Sequence, residues 1–254
     1  MTHPSSKARP EVDVERELAG NSNRPNAERL KRPVIWSGVA FGILLLVGWF
    51  LSAGDTPDYT AADQDWVSWS TENSSRSGIG AFVLLVAGVA FLHFAGTVRE
   101  VLGSEEYRLR GTESLARTAF AGGVTGIVGI TMAIVMIGAA TSVGADADPL
   151  VSRAVGTASA GPYLVATMGF STMLGASGVL TLRTGVFARW TGIMALVGAV
   201  AFFTVFMTLL DGTGVDSVFG YGYLPGILTL VVWAIAISTS TPGSRKKTKV
   251  GTQL

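Results

Sequence analysis

Six apolar blocks, separated by polar segments, constrain the fold of this 254-residue chain more than any other feature. The blocks cover roughly residues 34–52, 79–98, 118–142, 162–182, 190–210 and 223–240. Each has about the 20 residues that an α-helix needs to cross the hydrocarbon of a bilayer. Because a helix satisfies its own backbone hydrogen bonds in lipid, the blocks predict an all-α integral membrane bundle of about six transmembrane helices.

The composition narrows the classes of function. Hydrophobic residues make up 48% of the chain and charged residues 15%, against roughly 25% charged residues in soluble domains. The net charge of +1 provides no basic field for nucleic acid. The chain has no cysteine, so it cannot form disulfides, thiolate nucleophiles or Cys-ligated metal sites. We therefore predict no nucleic-acid partner, no metal and no cofactor.

Both ends of the chain are polar. Residues 1–33 contain four prolines and too few apolar side chains to bury a core, which predicts a disordered tail. The first apolar block is as long as a span and follows a long charged region, which indicates a retained anchor and not a cleaved signal peptide. Residues 241–254 form a second tail, which is basic.

The positions of Lys and Arg predict the orientation. If residues 1–33 are cytoplasmic, 17 of the 19 Lys and Arg residues fall in cytoplasmic segments, and only Arg76 and Arg153 fall on the other side. The positive-inside rule therefore predicts a multi-pass protein of the plasma membrane with both termini in the cytoplasm.

Small residues recur at four-residue spacing inside the blocks, which is typical of closely packed membrane helices. The positions are Gly38 and Gly42, Gly122 and Gly126, Thr167, Ser171 and Gly175, and Ala195 and Ala199. They predict interfaces between helices of one chain, with contacts between copies in a homo-oligomer as the alternative.

The middle of every predicted span lacks Asp, Glu, Lys and Arg. An ionisable side chain there costs at least about 2.5 kcal/mol, so its absence argues against proton relays, ion-coupled carriers and voltage sensors. GxSxG, HExxH and GxGxxG motifs in a catalytic context are also missing. The pattern favours a non-catalytic scaffold, sensor or accessory subunit; an intramembrane enzyme is the least expected class, because acid–base catalysis needs positioned titratable groups.

His93 is the one titratable side chain inside a predicted span. Thr97 and Glu100 follow it on the same face of the helix. Small neighbouring residues predict that this face points into the bundle. His93, Thr97 and Glu100 are then candidates for a pH-sensing or ligand site, and the alternative is a structural histidine bonded to a neighbouring helix.

Hydroxyl-bearing residues in the third and fourth spans support a second class of function, a small transporter or channel for neutral or apolar solutes. The candidate cavity-lining residues are Thr125, Thr131, Ser171, Thr172 and Ser177. A wet cavity between these two spans would favour transport, and dry packing would count against it.

Three polar segments are candidate contact regions. Residues 55–77, with Trp66 and Trp69, are predicted to be a solvated outer loop, with a short interfacial helix or an acidic partner site as alternatives. The charged inner loop 99–117 and the basic tail could bind anionic lipid or a membrane-protein partner, or only fix the topology. The basic residues of the tail are Arg245, Lys246, Lys247 and Lys249.

Two segments carry a resemblance: SLARTAFAGG at 114–123, and LRTGVFARWTGIMALVG at 182–198, which joins the fourth and fifth spans. They resemble an uncharacterised group of six-span membrane proteins of high-GC bacteria, in which an LRTG, hydrophobe, x, RW, x, G turn joins these spans. Ala188 stands where that group often has proline. The resemblance implies the architecture from about residue 79 onward, and it implies no catalytic residue.

Overall fold

The structure is a computed structural model that describes residues 27–53, 56–57, 61–110, 113–143, 148–207 and 222–240. For residues 27–35, 53, 110 and 143 it describes the backbone alone. The chain divides into two compact units, Met1–Pro33 and Val34–Leu254. The described part of the first unit is helical, and the second unit contains the helices that pack together.

Seven helices and no strand occur within the described ranges. They are α1 (Ala27–Ala53), α2 (Asp63–Arg110), α3 (Ser114–Val143), α4 (Pro149–Ala158), α5 (Ala160–Thr184), α6 (Arg189–Phe206) and α7 (Tyr223–Thr239). Four stretches are long and apolar enough to cross a membrane: Asp63–Leu109, Ser114–Ser142, Pro149–Thr184 and Arg189–Phe206. Two shorter helical stretches are also apolar: Trp36–Ser52 and Tyr223–Thr239. The predicted all-α membrane bundle is confirmed.

The long apolar helices form a closed ring in the order of the sequence. Helix α2 packs on α3, α3 on α5, α5 on α6, and α6 on α7. Helix α1 closes the ring, because Gly48 lies against Leu84 of α2 and Gly42 lies against Val231 of α7. The short helix α4 packs on α2 and α3. Each helix of the ring therefore contacts its two neighbours in sequence, and α7 contacts α1.

Neighbouring helices of the ring run antiparallel. Gly122 near the start of α3 lies against Met173 of α5, whereas Gly129 lies against Ala166, about two turns earlier in α5. The C-terminal ends of α2, α5 and α7 consequently lie at one end of the ring. The N-terminal ends of α3 and α6 lie at that same end. We call it the basic end, because five arginines with described side chains lie there: Arg99, Arg108, Arg117, Arg183 and Arg189.

The centre of the ring is filled by aromatic side chains from five helices. This aromatic cluster consists of Phe41, Phe91, Phe94, Phe170, Phe202 and Trp233, each at most 1% exposed. Neighbouring ring centroids lie 4.8 to 6.4 Å apart, the range that favours tilted and edge-to-face contacts. Its members come from every helix of the ring except α3, and α3 packs on the cluster through Gly123 and Gly126, so the middle of the bundle is closely packed.

Glycines set the closest approach in the ring, between α3 and α5. A Cβ at Gly169 would collide with the backbone nitrogen of Gly126 and lie 2.7 Å from the carbonyl oxygen of Gly122. A Cβ at Gly126 would lie 2.7 Å from the ring of Phe170. The predicted small-residue interface of this span is confirmed as a contact within the chain, and Gly169 of the facing helix joins it.

Three segments predicted to be irregular are helical. Residues 27–33, assigned above to a disordered tail, belong to α1, because Ala, Glu, Arg, Leu and Lys favour helix. The predicted outer loop is helical from Asp63, where Asp63 and Asp65 favour a helix N-terminus. The predicted inner loop is helical up to Arg110 and again from Ser114. Residues 1–26, 208–210 and the tail 241–254 with its basic lipid-site candidates lie outside the described residues.

Candidate functional site

His93 lies on the surface of α2, so the prediction that it points into the bundle is wrong. The buried stripe of α2 in this region contains Phe91, Phe94, Ala95 and Val98. At 3.6 residues per turn, His93 points about 200° away from Phe91. Glu100 is exposed, and the hydroxyl of Thr97 donates to the backbone carbonyl of His93 at 2.9 Å. These residues form no enclosed pocket, and their sensing role stays a prediction.

The five hydroxyl residues that were candidates for a cavity lining are dispersed. Thr125 and Thr172 have exposed side chains, and Thr131 is half-buried. The hydroxyl of Ser171 donates to a backbone carbonyl of α6 at 2.8 Å. Only Ser177 is fully buried. Since glycines bring α3 and α5 into backbone contact, the described structure does not join the five residues around one cavity between these helices.

The far end of α2 forms a folded extension with α4. The extension consists of residues 63–78 of α2 together with α4. Trp66 is 2% exposed and packs on Gly156 of α4, where a Cβ would collide with the indole. The ring of Trp69 lies 6.1 Å from that of Trp66, and Arg153 donates to Asp63 at 2.9 Å. The tryptophans are therefore the core of a helix pair, and the prediction of a solvated loop is wrong.

The acidic residues near α4 have a structural role. Asp148 caps α4, and its carboxylate accepts a hydrogen bond from the backbone of Leu150 at 2.9 Å. Its neighbour Asp146 lies outside the described residues. In the parts of the chain that the structure describes, no three His, Cys, Asp or Glu side chains come together as a metal site.

Glu106 is a buried carboxylate near the basic end that the sequence analysis did not single out. It is 1% exposed, and its oxygens accept hydrogen bonds from the backbone nitrogens of Leu115 at 3.1 Å and Ala116 at 2.9 Å. A carboxylate at a helix N-terminus pairs with unsatisfied N–H groups and with the positive end of the helix dipole. Glu106 thus fixes the start of α3 to α2. The only sequence signal for this contact is the eight-residue spacing between Glu106 and Ser114, the first residue of α3.

Four buried polar atoms on α5 and α7 have no hydrogen-bond partner. They are the hydroxyls of Ser177, Thr181 and Ser238 and the indole nitrogen of Trp233. All four residues are at most 2% exposed. Such groups are rare in folded proteins, because each one left unpaired costs about 1–3 kcal/mol. Ser52, Trp66 and Ser152 elsewhere in the described chain also have a buried polar atom without a partner; we call the four on α5 and α7 the unpaired set.

Comparison of the chain with protein families, with curated proteins and with solved structures finds no match in any of the three.

Proposed function

We propose that this protein is a non-catalytic integral protein of the plasma membrane that acts as a scaffold, sensor or accessory subunit. The extension is the structural feature that supports this proposal. Helix α2 has 48 residues, which makes it about 72 Å long at 1.5 Å per residue, against a hydrocarbon thickness of about 30 Å. One continuous helix therefore joins the extension to the bundle and reaches the basic end, an arrangement suited to presenting a surface to a partner.

The extension has two different faces. The exposed face of its α2 part is polar and carries two acids: Gln64, Asp65, Ser68, Thr71, Glu72, Ser74 and Ser75. The exposed face of α4 is apolar: Leu150, Val151, Ala154 and Ala158. Scattered apolar side chains are normal on a surface, but a continuous apolar helix face beside an acidic one is typical of a contact region.

We also propose that both termini are cytoplasmic, because 17 of the 19 Lys and Arg residues then fall on the cytoplasmic side. Because the chain has no cysteine, a single introduced thiol reports its own side of the membrane. Ser75 on the extension and Ser104 near the basic end are both exposed. In intact cells, an impermeant maleimide should label Ser75→Cys and not Ser104→Cys, and both after lysis. The opposite pattern would reverse the orientation.

Site-specific photo-crosslinking in native membranes tests the contact region. A benzophenone amino acid is placed at Leu150 or Glu72 in the extension, and at Val89 as a control that is 60% exposed within the span. We expect a reproducible protein adduct from at least one extension position and none from Val89. The same adduct should weaken when the other extension position is changed, Glu72→Arg or Leu150→Asp. Absence of any protein adduct at both extension positions would refute the partner-binding role.

A further inference from the structure

Two of the five arginines at the basic end lack the contacts that the other three have. Those three lie against a carboxylate or an aromatic ring of the chain itself: Arg99, Arg108 and Arg117. The side chains of Arg183 and Arg189 are exposed and form no ion pair or hydrogen bond with any described residue. These two flank the turn between α5 and α6, so unpaired positive charge is concentrated there.

The two arginines lie close together on the outer side of α5 and α6. Leu182 of α5 faces Gly192 of α6, where a Cβ would lie 3.0 Å from the leucine side chain, which aligns the two helices. Arg183 follows Leu182, and Arg189 precedes Gly192 by about one turn, so their Cα atoms differ in depth by no more than about 3 Å. With helix axes 8–10 Å apart, their Cβ atoms lie roughly 10 Å from each other. Two arginine side chains can reach one phosphate group across that distance.

The start of α6 does not balance this charge. Arg189 is the first residue of α6, Ala188 before it provides no side-chain cap, and the first turn contains no acid. A cation at this position opposes the positive end of the helix dipole. Arg183 is favourable for the C-terminal end of α5, but it adds a second positive charge beside Arg189. The turn should therefore attract an anion more strongly than the paired arginines of the basic end do.

An apolar strip begins beside these charges and follows the outer face of α6. Its exposed side chains share one face of the helix: Trp190, Ile193, Val197 and Val200. From Arg189 to Val200 the helix rises about 17 Å, close to the roughly 15 Å of one leaflet of the hydrocarbon. A pair of cations at the end of a strip of this length matches a phospholipid, which has an anionic head and an acyl chain. A soluble anion would contact the arginines alone.

We propose that the α5–α6 turn binds an anionic phospholipid, with the phosphate at Arg183 and Arg189 and an acyl chain along the apolar strip. Contacts between arginine and phosphate are charge-assisted and strong, and Trp190 stands where an indole favours the membrane interface. The site lies at the opposite end of α2 from the extension, so it does not depend on the partner-binding role proposed above.

Local fluorescence quenching in vesicles tests the site. Because the chain has no cysteine, Ala188→Cys carries a single bimane label at the exposed turn. The full-length protein is placed in phosphatidylcholine vesicles with a minor fraction of spin-labelled phosphatidylglycerol or, in parallel, spin-labelled phosphatidylcholine. We expect phosphatidylglycerol to be preferred near the label at least about tenfold, because each cation near the surface adds to the attraction.

Two double variants with equal loss of charge provide the comparison. Arg183→Gln with Arg189→Gln should abolish the preference for phosphatidylglycerol. Arg108→Gln with Arg117→Gln removes the same charge from paired, exposed arginines of the same end and should leave the preference within about twofold. The proposal is overturned if the parent shows no preference, if the first double variant keeps it, or if both variants lose it equally.

Two further measurements distinguish the lipid from a soluble anion and from a structural role. Glycerophosphoglycerol, the head group without acyl chains, should not relieve the quenching at millimolar concentration; displacement would mean that a soluble phosphate suffices and would overturn the lipid assignment. In phosphatidylcholine alone, Arg189→Gln should melt no lower than the parent, because the arginine opposes the helix dipole. A lower melting temperature would show that Arg189 stabilises α6 without lipid and would also overturn the proposal.

Discussion

The cap that Glu106 provides for α3 gives the most direct test of the packing at the basic end. Glu106→Ala removes the acceptor of two backbone hydrogen bonds, of 3.1 and 2.9 Å, and the carboxylate at the start of a 30-residue helix. Hydrogen bonds to a charged group contribute about 1.5–3 kcal/mol each, and an N-cap as a whole about 0.5–2 kcal/mol. Since water can enter the space left by the side chain, we expect a loss of about 2–3 kcal/mol, between these bounds.

Two companion variants separate the cap from a general effect of removing charge. Glu106→Gln keeps one acceptor oxygen and loses the charge, so it should cost about 1–2 kcal/mol. Glu105→Ala removes the neighbouring carboxylate, which pairs with Arg108 at 3.3 Å on the surface, and should cost no more than about 0.5 kcal/mol.

Denaturation in detergent micelles, followed by tryptophan fluorescence, measures these differences in the free energy of unfolding. Hydrogen exchange adds a local measurement, because only loss of the cap should speed exchange at the amides of Leu115 and Ala116. The reasoning fails if Glu106→Ala and Glu105→Ala have equal effects, or if exchange at the start of α3 does not change.

Two other predictions concern contacts between helices. Ser171→Ala removes the hydrogen bond from α5 to α6, so it should lower the free energy of unfolding in detergent by about 0.6–1.7 kcal/mol. Thr172→Ala is the control: it removes only a hydrogen bond within α5 and should leave the free energy of unfolding unchanged. Gly169→Ala should lower the melting temperature, because its Cβ would overlap the backbone of α3, at a cost of about 1–3 kcal/mol. Gly161→Ala faces open space and should be neutral or stabilising, and the reverse order would refute the packing.

The sequence predicts the helical architecture because its determinants are local. The length and apolarity of each block decide whether it forms a span, and small residues at regular spacing show where backbones approach. The extension was missed because its apolar residues are few. Trp66 and Trp69 were assigned to a solvated loop, whereas Trp66 packs on Gly156, about 90 residues away in the chain. No local pattern reveals a contact of that range.

The candidate site was harder to predict than the fold, for two physical reasons. The face of α2 that enters the bundle is aromatic, so the small residues beside His93 indicated the wrong side of the helix. Ser177 was a candidate, but Thr181 and Trp233 were not, because a hydroxyl or an indole N–H in a sequence gives no sign of whether its hydrogen bond is made. That property depends on packing between helices that are distant in the chain.

The closed ring has a consequence for synthesis in the membrane. Helices α1 to α6 each meet a neighbour as soon as the next long helix is inserted. The side of α1 at Gly42, however, packs on Val231 and Ile235 of α7, and the side at Gly38 is covered only by Phe94 of α2 until α7 emerges. Until then the aromatic cluster lacks Trp233 as well. Insertion of α7 is therefore the step that completes the fold, and a chain stopped before Tyr223 would present an open glycine face that the final helix of a second copy could fill.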